Sequence, residues 1–366
     1  MRNRAFVLRV AVYLLVGFAS GAGAVNVHAS SVPWSASERI ATGFQFTEGP
    51  VWHPDGFVLF SDVQGNRIVK WTDPNETETY RQPSGNSNGL IFDEQERLVA
   101  CEHSNRRVSR TGLTGKVVTL ASRYEGKRLN SPNDIVIKSD GSIYFTDPPY
   151  GISGGEQELP FNGVFRISPD GELTLLATDF DRPNGLAFSP DEEKLYIADT
   201  TGGHIRVFDV QPDGTLDGGE QFVQVPNPDG MKVDGKGKLY VASASGVAVF
   251  SGTGESIGTI TFLQQPSNCC FGDADGKTLF VTARTSLYRI RLNDSEIGVD
   301  AKGKTILTWS SLSGRTYAVY QSDDMLAWDL AADGVAAKSG TTTTWTDPTA
   351  ALLSPEVKKR YYRVGE

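Results

Sequence analysis

Six short oxygen-bearing side chains stand at the head of one phrase repeated along this 366-residue chain, and they are the residues best suited to chemistry. They are Glu48, Asn88, Asn133, Asn184, Asp229 and Asn268, whose successive numbers differ by 40, 45, 51, 45 and 39. Two carboxylates and four amides offer hard oxygen without imidazole or thiolate. That is the donor chemistry of a divalent cation, Ca2+ first, with Mg2+, Mn2+ or Zn2+ as other candidates. Two carboxylates converging in a partly dry channel would repel each other, and a cation removes that penalty. Taken singly, each Asn or Asp has a plainer explanation as a turn former ahead of a strand. Glu48, a poor turn residue, does not.

The elements that must bring these residues together are legible in the same phrase. Its copies are EGPVWHPDGFVLFSD from Glu48, NGLIFDEQERLVACE from Asn88, NDIVIKSDGSIYFTD from Asn133, NGLAFSPDEEKLYIAD from Asn184, DGMKVDGKGKLYVAS from Asp229 and NCCFGDADGKTLFVTA from Asn268. Each reads as a polar residue, an alternating strand, a tight turn and a second strand. Third strands are predicted at residues 67–71, 164–167, 204–208 and 287–291, and fourth strands at 77–81, 117–121 and 221–225. Four strands at this period predict an all-β fold, a six-bladed β-propeller. A β-sandwich assembly is the competing arrangement, since strand spacing alone suits both. The sixth repeat lacks its own fourth strand, and residues 38–44 are expected to fill it, pairing the two ends of the ring and hiding its edges. In such a ring the residue ahead of each innermost strand faces the channel mouth, so the six positions converge.

The remaining features bound the answer. Net charge is −9, from 35 basic and 44 acidic residues, and no Lys/Arg cluster is long enough to follow a phosphate backbone, which excludes nucleic acid as a partner. Residues 1–24 carry Arg2 and Arg4, an apolar run over 5–18 and Ala22-Gly23-Ala24, and read as a signal peptide. Arg9 interrupts a run already short for a bilayer, so the mature protein is expected in a bacterial periplasm or outside the cell, with no membrane attachment after cleavage. Cys101, Cys269 and Cys270 fit no zinc spacing and read as small buried hydrophobes. The propeller is placed at 36–292, a linker at 293–303 and a small β-sandwich-like module at 304–366, with strands at 305–309, 316–321, 342–346 and 360–364 and a further strand near Trp328. Residues 151–155 satisfy G-x-S-x-G but follow Pro148-Pro149 and precede no helical pattern, which argues against a nucleophile elbow. Residues 272–278, GDADGKT, fall one residue short of a phosphate-binding loop and lie in a hairpin turn. His28 lies near the cleavage point, while His53 and His204 stand alone, which disfavours histidine-zinc or Ser-His-Asp chemistry.

The runs TEGPVWHPDG, CEHSNRRVSR, GKRLNSPNDIVIKSDGSIYFTDPPYG, RPNGLAFSPD and NPDGMKVDGKGKLYVA resemble the gluconolactonase/regucalcin (senescence marker protein) family of metal-dependent lactonases over residues 40–292. The resemblance implies one catalytic divalent cation in a propeller channel, held by Glu48, Asn133, Asn184 and Asp229, and hydrolysis of a small sugar lactone. It further implies that the metal acts as a Lewis acid, that Asp229 deprotonates the attacking water and that Glu48 is a ligand only. The chain departs from the animal regucalcins at Ser131, where they carry an arginine two residues ahead of the ligand Asn. Arg128, His103 and Arg106 could replace it, with Asn88 and Asn268 as further substrate contacts. The plainer reading of the charged members is a surface charge or a cross-strand pair. A phosphotriesterase of the diisopropyl fluorophosphatase type on the same ligand set is one alternative, and a non-catalytic ligand-binding propeller is another. Oligomeric state is left open.

Overall fold

The second strand of each repeat is apolar at nearly every position rather than at every other one, as in FVLF, LVAC, IYF, LYIA, LYVA and TLFV. Such a run requires a strand covered on both faces. The computed structural model describes residues 10–15, 28–31, 34–292, 296–299, 305–310, 316–322, 329–336, 342–348 and 361–365. In it every residue of Leu98–Glu102, Ile143–Asp147, Leu239–Ser243 and Thr278–Ala283 is buried. By contrast Glu76–Arg81, the fourth strand of the first repeat, is almost wholly exposed. That gradient is produced by four-stranded sheets set radially, with their second strands wedged between neighbours.

The six sheets follow the repeats. The first pairs Thr47–His53, Phe57–Asp62, Arg67–Thr72 and Glu76–Arg81 in sequence order, and the next four repeat this antiparallel meander through Ser256–Ile260. The innermost strands Thr47–His53, Ser87–Phe92, Ile135–Ile137, Pro183–Phe188, Met231–Val233 and Pro266–Gly272 touch one another in cyclic order, the last against the first. The fold is therefore the expected six-bladed propeller, and no helix occurs among the described residues. The sixth sheet runs Pro266–Gly272, Thr278–Ala283, Ser286–Arg291 and then Glu38–Thr42, with Thr42 opposite Ser286 and Ala41 opposite Leu287. The seam so formed is an apolar cluster of Ile40, Val58, Phe60, Trp71, Phe280 and Leu287, with Trp52 stacked on Phe280 at 5.5 Å.

One irregularity recurs where chemistry is expected. Each of four innermost strands carries one more residue than its partner just at its start, between Glu48 and Val51, Ser87 and Leu90, Pro183 and Leu186, and Pro266 and Asn268. In the other two blades Asn133 N–H donates to the Thr146 carbonyl while Thr146 N–H donates to Asp134, and Asp229, Gly230 and Ala242 do the same. Two residues thus oppose one, which is a β-bulge that bends the strand and re-aims the side chain at the bulge.

The chain divides into two compact units, residues 37–289 and residues 1–36 with 290–366. The second, taken by itself, holds a five-stranded sheet ordered His28–Ser31, Val10–Leu15, Tyr361–Gly365, Thr316–Ser322, Asp329–Ala336, and a three-stranded sheet of Glu296–Val299, Thr305–Ser310 and Thr342–Thr346. Strands occur within two of the segments bounded from the sequence. Within 293–303, Glu296–Val299 pairs with Thr305–Ser310. Val10–Leu15, within residues 1–24, pairs with His28–Ser31 and with Tyr361–Gly365. Trp328 and the rest of residues 1–24 lie outside the described residues.

The closing seam generates a prediction. Ile40 is only 4% exposed and belongs to the strand that alone completes the sixth blade. Ile40→Ala should destabilise the protein by about 2–4 kcal/mol. Urea unfolding followed by tryptophan fluorescence, which Trp52 and Trp71 in the same seam report, should show that loss, and an unchanged midpoint would contradict closure at this strand.

Candidate active site

The residue after each ring position is Gly49, Gly89, Asp134, Gly185, Gly230 and Cys269. The glycines are required by proximity. A Cβ on Gly49 would lie 2.0 Å from the Asn88 carbonyl oxygen, on Gly89 2.6 Å from that of Asn133, on Gly185 2.4 Å from that of Asp229, and on Gly230 2.0 Å from the Asn268 side chain. Neighbouring innermost strands therefore meet backbone to backbone around the channel, which packs the ring residues against one another.

The ring is connected accordingly. Asn133 Nδ2 donates to Asn184 Oδ1 at 3.4 Å, and Asn184 Nδ2 donates to Thr200 Oγ1 at 3.0 Å and the Tyr150 hydroxyl at 3.5 Å. Glu48 Oε2 accepts from Gly49 N–H at 3.0 Å. The Asn268 side chain bonds to Glu48 and also donates from Nδ2 to Asp134 Oδ2 at 3.4 Å. Asn268, expected as a substrate contact, is thereby engaged in bridging two carboxylates. Asp134 was not singled out from the sequence. Its carboxylate is buried and accepts backbone N–H groups from Ile135 and Leu186. The signal that could have found it is the column itself, where Asp stands against glycine in four other copies.

These carboxyls are strained electrostatically. Burial, followed by the charges of Asp229 and Asp134, holds the Glu48 carboxyl well above the usual range. Burial also pushes Asp229 up to about 7, Asp134 adding to the shift while Asn184, Arg284 and the Gly230 N–H oppose it. Asp134 is raised by burial, with Lys232 opposing. Among the described residues no three His, Cys, Asp or Glu side chains gather closely enough to hold a metal by themselves. A cation here would need the amide oxygens of Asn133 and Asn184 beside Glu48 and Asp229. The site fits one in two respects: buried like charges that lack a cation, and an all-oxygen donor set.

The other predicted contacts separate into two groups. Asn88 is buried in the ring with its Nδ2 at 3.3 Å from His103 Nε2, and its Oδ1 is buried without any partner. His103 is buried, and desolvation lowers its imidazole to about 4, so it is neutral near pH 7 and accepts the Asn88 amide. Ser131, by contrast, is fully buried, its hydroxyl accepting from Gly151 N–H at 2.8 Å and its own N–H donating to Asp147. Arg106 is not a surface charge. It is 5% exposed, with Nε donating to the Leu129 and Asn130 carbonyls at 2.6 and 3.1 Å and Nη1 to that of Glu156 at 3.0 Å. Arg128 is half-buried, and its N–H donates to Glu158 at 2.8 Å. Ser131, Arg106 and Arg128 thus anchor the long excursion between Asp147 and Gly163, the loop that carries Tyr150 to Asn184. Tyr150, like Thr200, was missed by sequence reasoning. The thiols of Cys101, Cys269 and Cys270 are free and buried, as small hydrophobes would be.

His103 yields a pH prediction. In the unfolded chain its imidazole protonates near 6.5, whereas in the fold it protonates near 4. Between those values the unfolded chain binds more protons, so this group's contribution to stability is lost as pH falls from 6.5 towards 4. The stability gap between wild type and His103→Gln should narrow over that window by an amount on the order of 3 kcal/mol. Urea unfolding of both proteins from pH 7 to pH 4 measures it, and a constant gap would be the contrary result.

Comparison with known proteins agrees with this architecture. Residues 46–285 match the family model described as SMP-30/Gluconolactonase/LRE-like region. A gluconolactonase of Zymomonas mobilis is 36% identical over 287 residues, covering 69% of this chain and 80% of that protein. Pentonolactonase XacC of Haloferax volcanii is 28% identical over 257 residues, covering 66% and 83%. Among solved structures, the Xanthomonas campestris gluconolactonase XC5397 superposes with a TM-score of 0.67 at 34% identity, covering 80% of this chain and 98% of that one. On a family match that spans most of the propeller, and on relatives at this level of identity, the chain belongs to the SMP-30/gluconolactonase/LRE-like family.

Proposed function

We propose that this protein is a lactone hydrolase of the gluconolactonase type, a carboxylic ester hydrolase that opens small sugar lactones at the channel end lined by Glu48, Asn133, Asn184 and Asp229. The observation that carries the reading is the convergence of these four side chains, from four different blades, in a chain whose 36% identical relative is a gluconolactonase. A divalent cation held by the four oxygens would polarise the lactone carbonyl and offset the negative charge that develops on it. Calcium matches an all-oxygen set of carboxylates and amides best.

The chain's own residues supply the rest. Asp229 is the half-buried member of the set, so its carboxylate is the one that water can reach and is placed to take a proton from it. As the water oxygen bonds to the carbonyl carbon, its proton passes to Asp229. The ring C–O bond then breaks, and the departing alkoxide takes up a proton to give the open hydroxy acid. Glu48 is fixed by Gly49 N–H and Asn268, which suits it to hold position rather than shuttle protons. Asn88 Oδ1 is an unused acceptor suited to a sugar hydroxyl, and neutral His103 fixes the amide in that orientation by accepting from its Nδ2. Tyr150 and Thr200 orient Asn184 from the opposite side.

Two measurements test this reading. Hydrolysis of glucono-δ-lactone, followed by pH-stat, should fall at least about 100-fold in Asp229→Asn and on treatment with EDTA, and Ca2+ should restore the second but not the first. Activity indifferent to the chelator would remove the metal from the mechanism, and activity indifferent to Asp229→Asn would remove the base. We further propose export through residues 1–24. N-terminal sequencing of the protein recovered from the periplasm should begin just after Ala24, and a retained Met1 would contradict it.

A further inference from the structure

The turn between second and third strands places one residue in the left-handed backbone region in several blades: Asn66 at φ 50°, Arg106 at φ 53°, Gly203 at φ 69° and Arg284 at φ 47°. Glycine and asparagine tolerate that region, whereas an arginine there is disfavoured and calls for a reason. For Arg106 the reason is its three backbone carbonyl partners. Arg284 has no such role. It is exposed, its guanidinium donates to Gln265 Oε1 and lies 5.8 Å from the Phe46 ring, and no carboxylate pairs with it among the described residues.

Its position is specific. The Arg284 carbonyl accepts Thr47 N–H at 2.7 Å, which ties the turn to the residue directly before Glu48. A second exposed arginine, Arg182, lies 5.3 Å over the Tyr150 ring, and that tyrosine's hydroxyl meets Asn184. Arg182 also has no ion-pair partner among the described residues, since the nearby Asp199 accepts the backbone N–H groups of Asp181, Arg182 and Gly202 instead. Arg182 enters from the fourth blade and Arg284 from the sixth, on either side of Asp229 in the fifth. A chain of net charge −9 thus carries, in the two blades that flank the one bearing Asp229, two exposed arginines with no carboxylate partner among the described residues.

We propose that Arg182 and Arg284 form an anion-recognising rim, and that the preferred substrates are lactones bearing a second acidic group, a carboxylate or a phosphate, rather than neutral sugar lactones. Guanidinium groups bind both anions through paired charge-assisted hydrogen bonds. The inference rests on the lactone-hydrolase reading above and adds the substrate class to it.

The test is a comparison of kcat/KM on glucono-δ-lactone, glucaro-1,4-lactone and 6-phosphoglucono-δ-lactone, in the calcium-loaded full-length protein. At least one acidic lactone should be preferred over the neutral one by about tenfold or more, through KM, and the preference should shrink with added salt. Which acidic lactone leads distinguishes a carboxylate from a phosphate. Arg182→Gln should lower the acidic-to-neutral ratio about tenfold. Arg284→Gly should do the same while leaving the melting temperature unchanged or higher, because glycine adopts this backbone without strain. A ratio at or below one in wild type, or a ratio unaltered in both variants, overturns the anionic rim while leaving the lactonase intact. Failure to hydrolyse any of the three lactones overturns both.

Discussion

The structure depends on the close approach of six backbones around one axis. Where neighbouring innermost strands meet, a single added methyl at Gly49 or Gly230 would sit 2.0 Å from another heavy atom. That crowding accounts for the glycine column, and the β-bulge at each strand head turns the preceding side chain inward. The six ring residues are therefore placed by the same geometry that closes the propeller. The site is built from main-chain positions of the scaffold, not from flexible loops, which holds its members to one another more tightly than loop attachment could.

Crowding of this kind also has an electrostatic cost. Glu48, Asp134 and Asp229 lose their hydration and feel each other's charge, and the fold compensates only in part, through Asn268, two backbone N–H groups on Asp134 and the more distant Lys232 and Arg284. Neutral amides fill the rest of the ring. The folded state itself therefore holds all three carboxyls above their usual range, because burial opposes their ionising together.

How far the sequence predicts this structure varies by element. The second strands were legible because burial on both faces leaves an unbroken apolar run, and the ring residues because the repeat places them at one column. The filling of the sixth blade by Glu38–Thr42 was legible from the missing fourth strand. Arg106 was misjudged, since nothing in CEHSNRRVSR distinguishes a surface arginine from one whose guanidinium turns inward onto the Leu129 and Asn130 carbonyls. Tyr150 lies in a long excursion that belongs to no repeat, so periodicity is silent about it. Asp134 is marked in the sequence only by standing where four other copies carry glycine, in the column next to the ring residues. The strand Glu296–Val299 was hidden by its short, polar surroundings, NDSEIGVDAKG, which read equally well as a connector.

Ring closure through Glu38–Thr42 also bears on the order of folding. Hydrogen bonds of the sixth blade join residues such as Thr42 and Ser286, 244 positions apart. Emerging first from the ribosome, the closing strand must wait for almost the whole propeller to follow before its partner exists. Pairing so distant in sequence folds slowly and leaves apolar edges uncovered meanwhile. The first five blades are each completed by strands of one repeat, whereas the sixth stays one strand short until Ser286–Arg291 has been made and can pair with Glu38–Thr42.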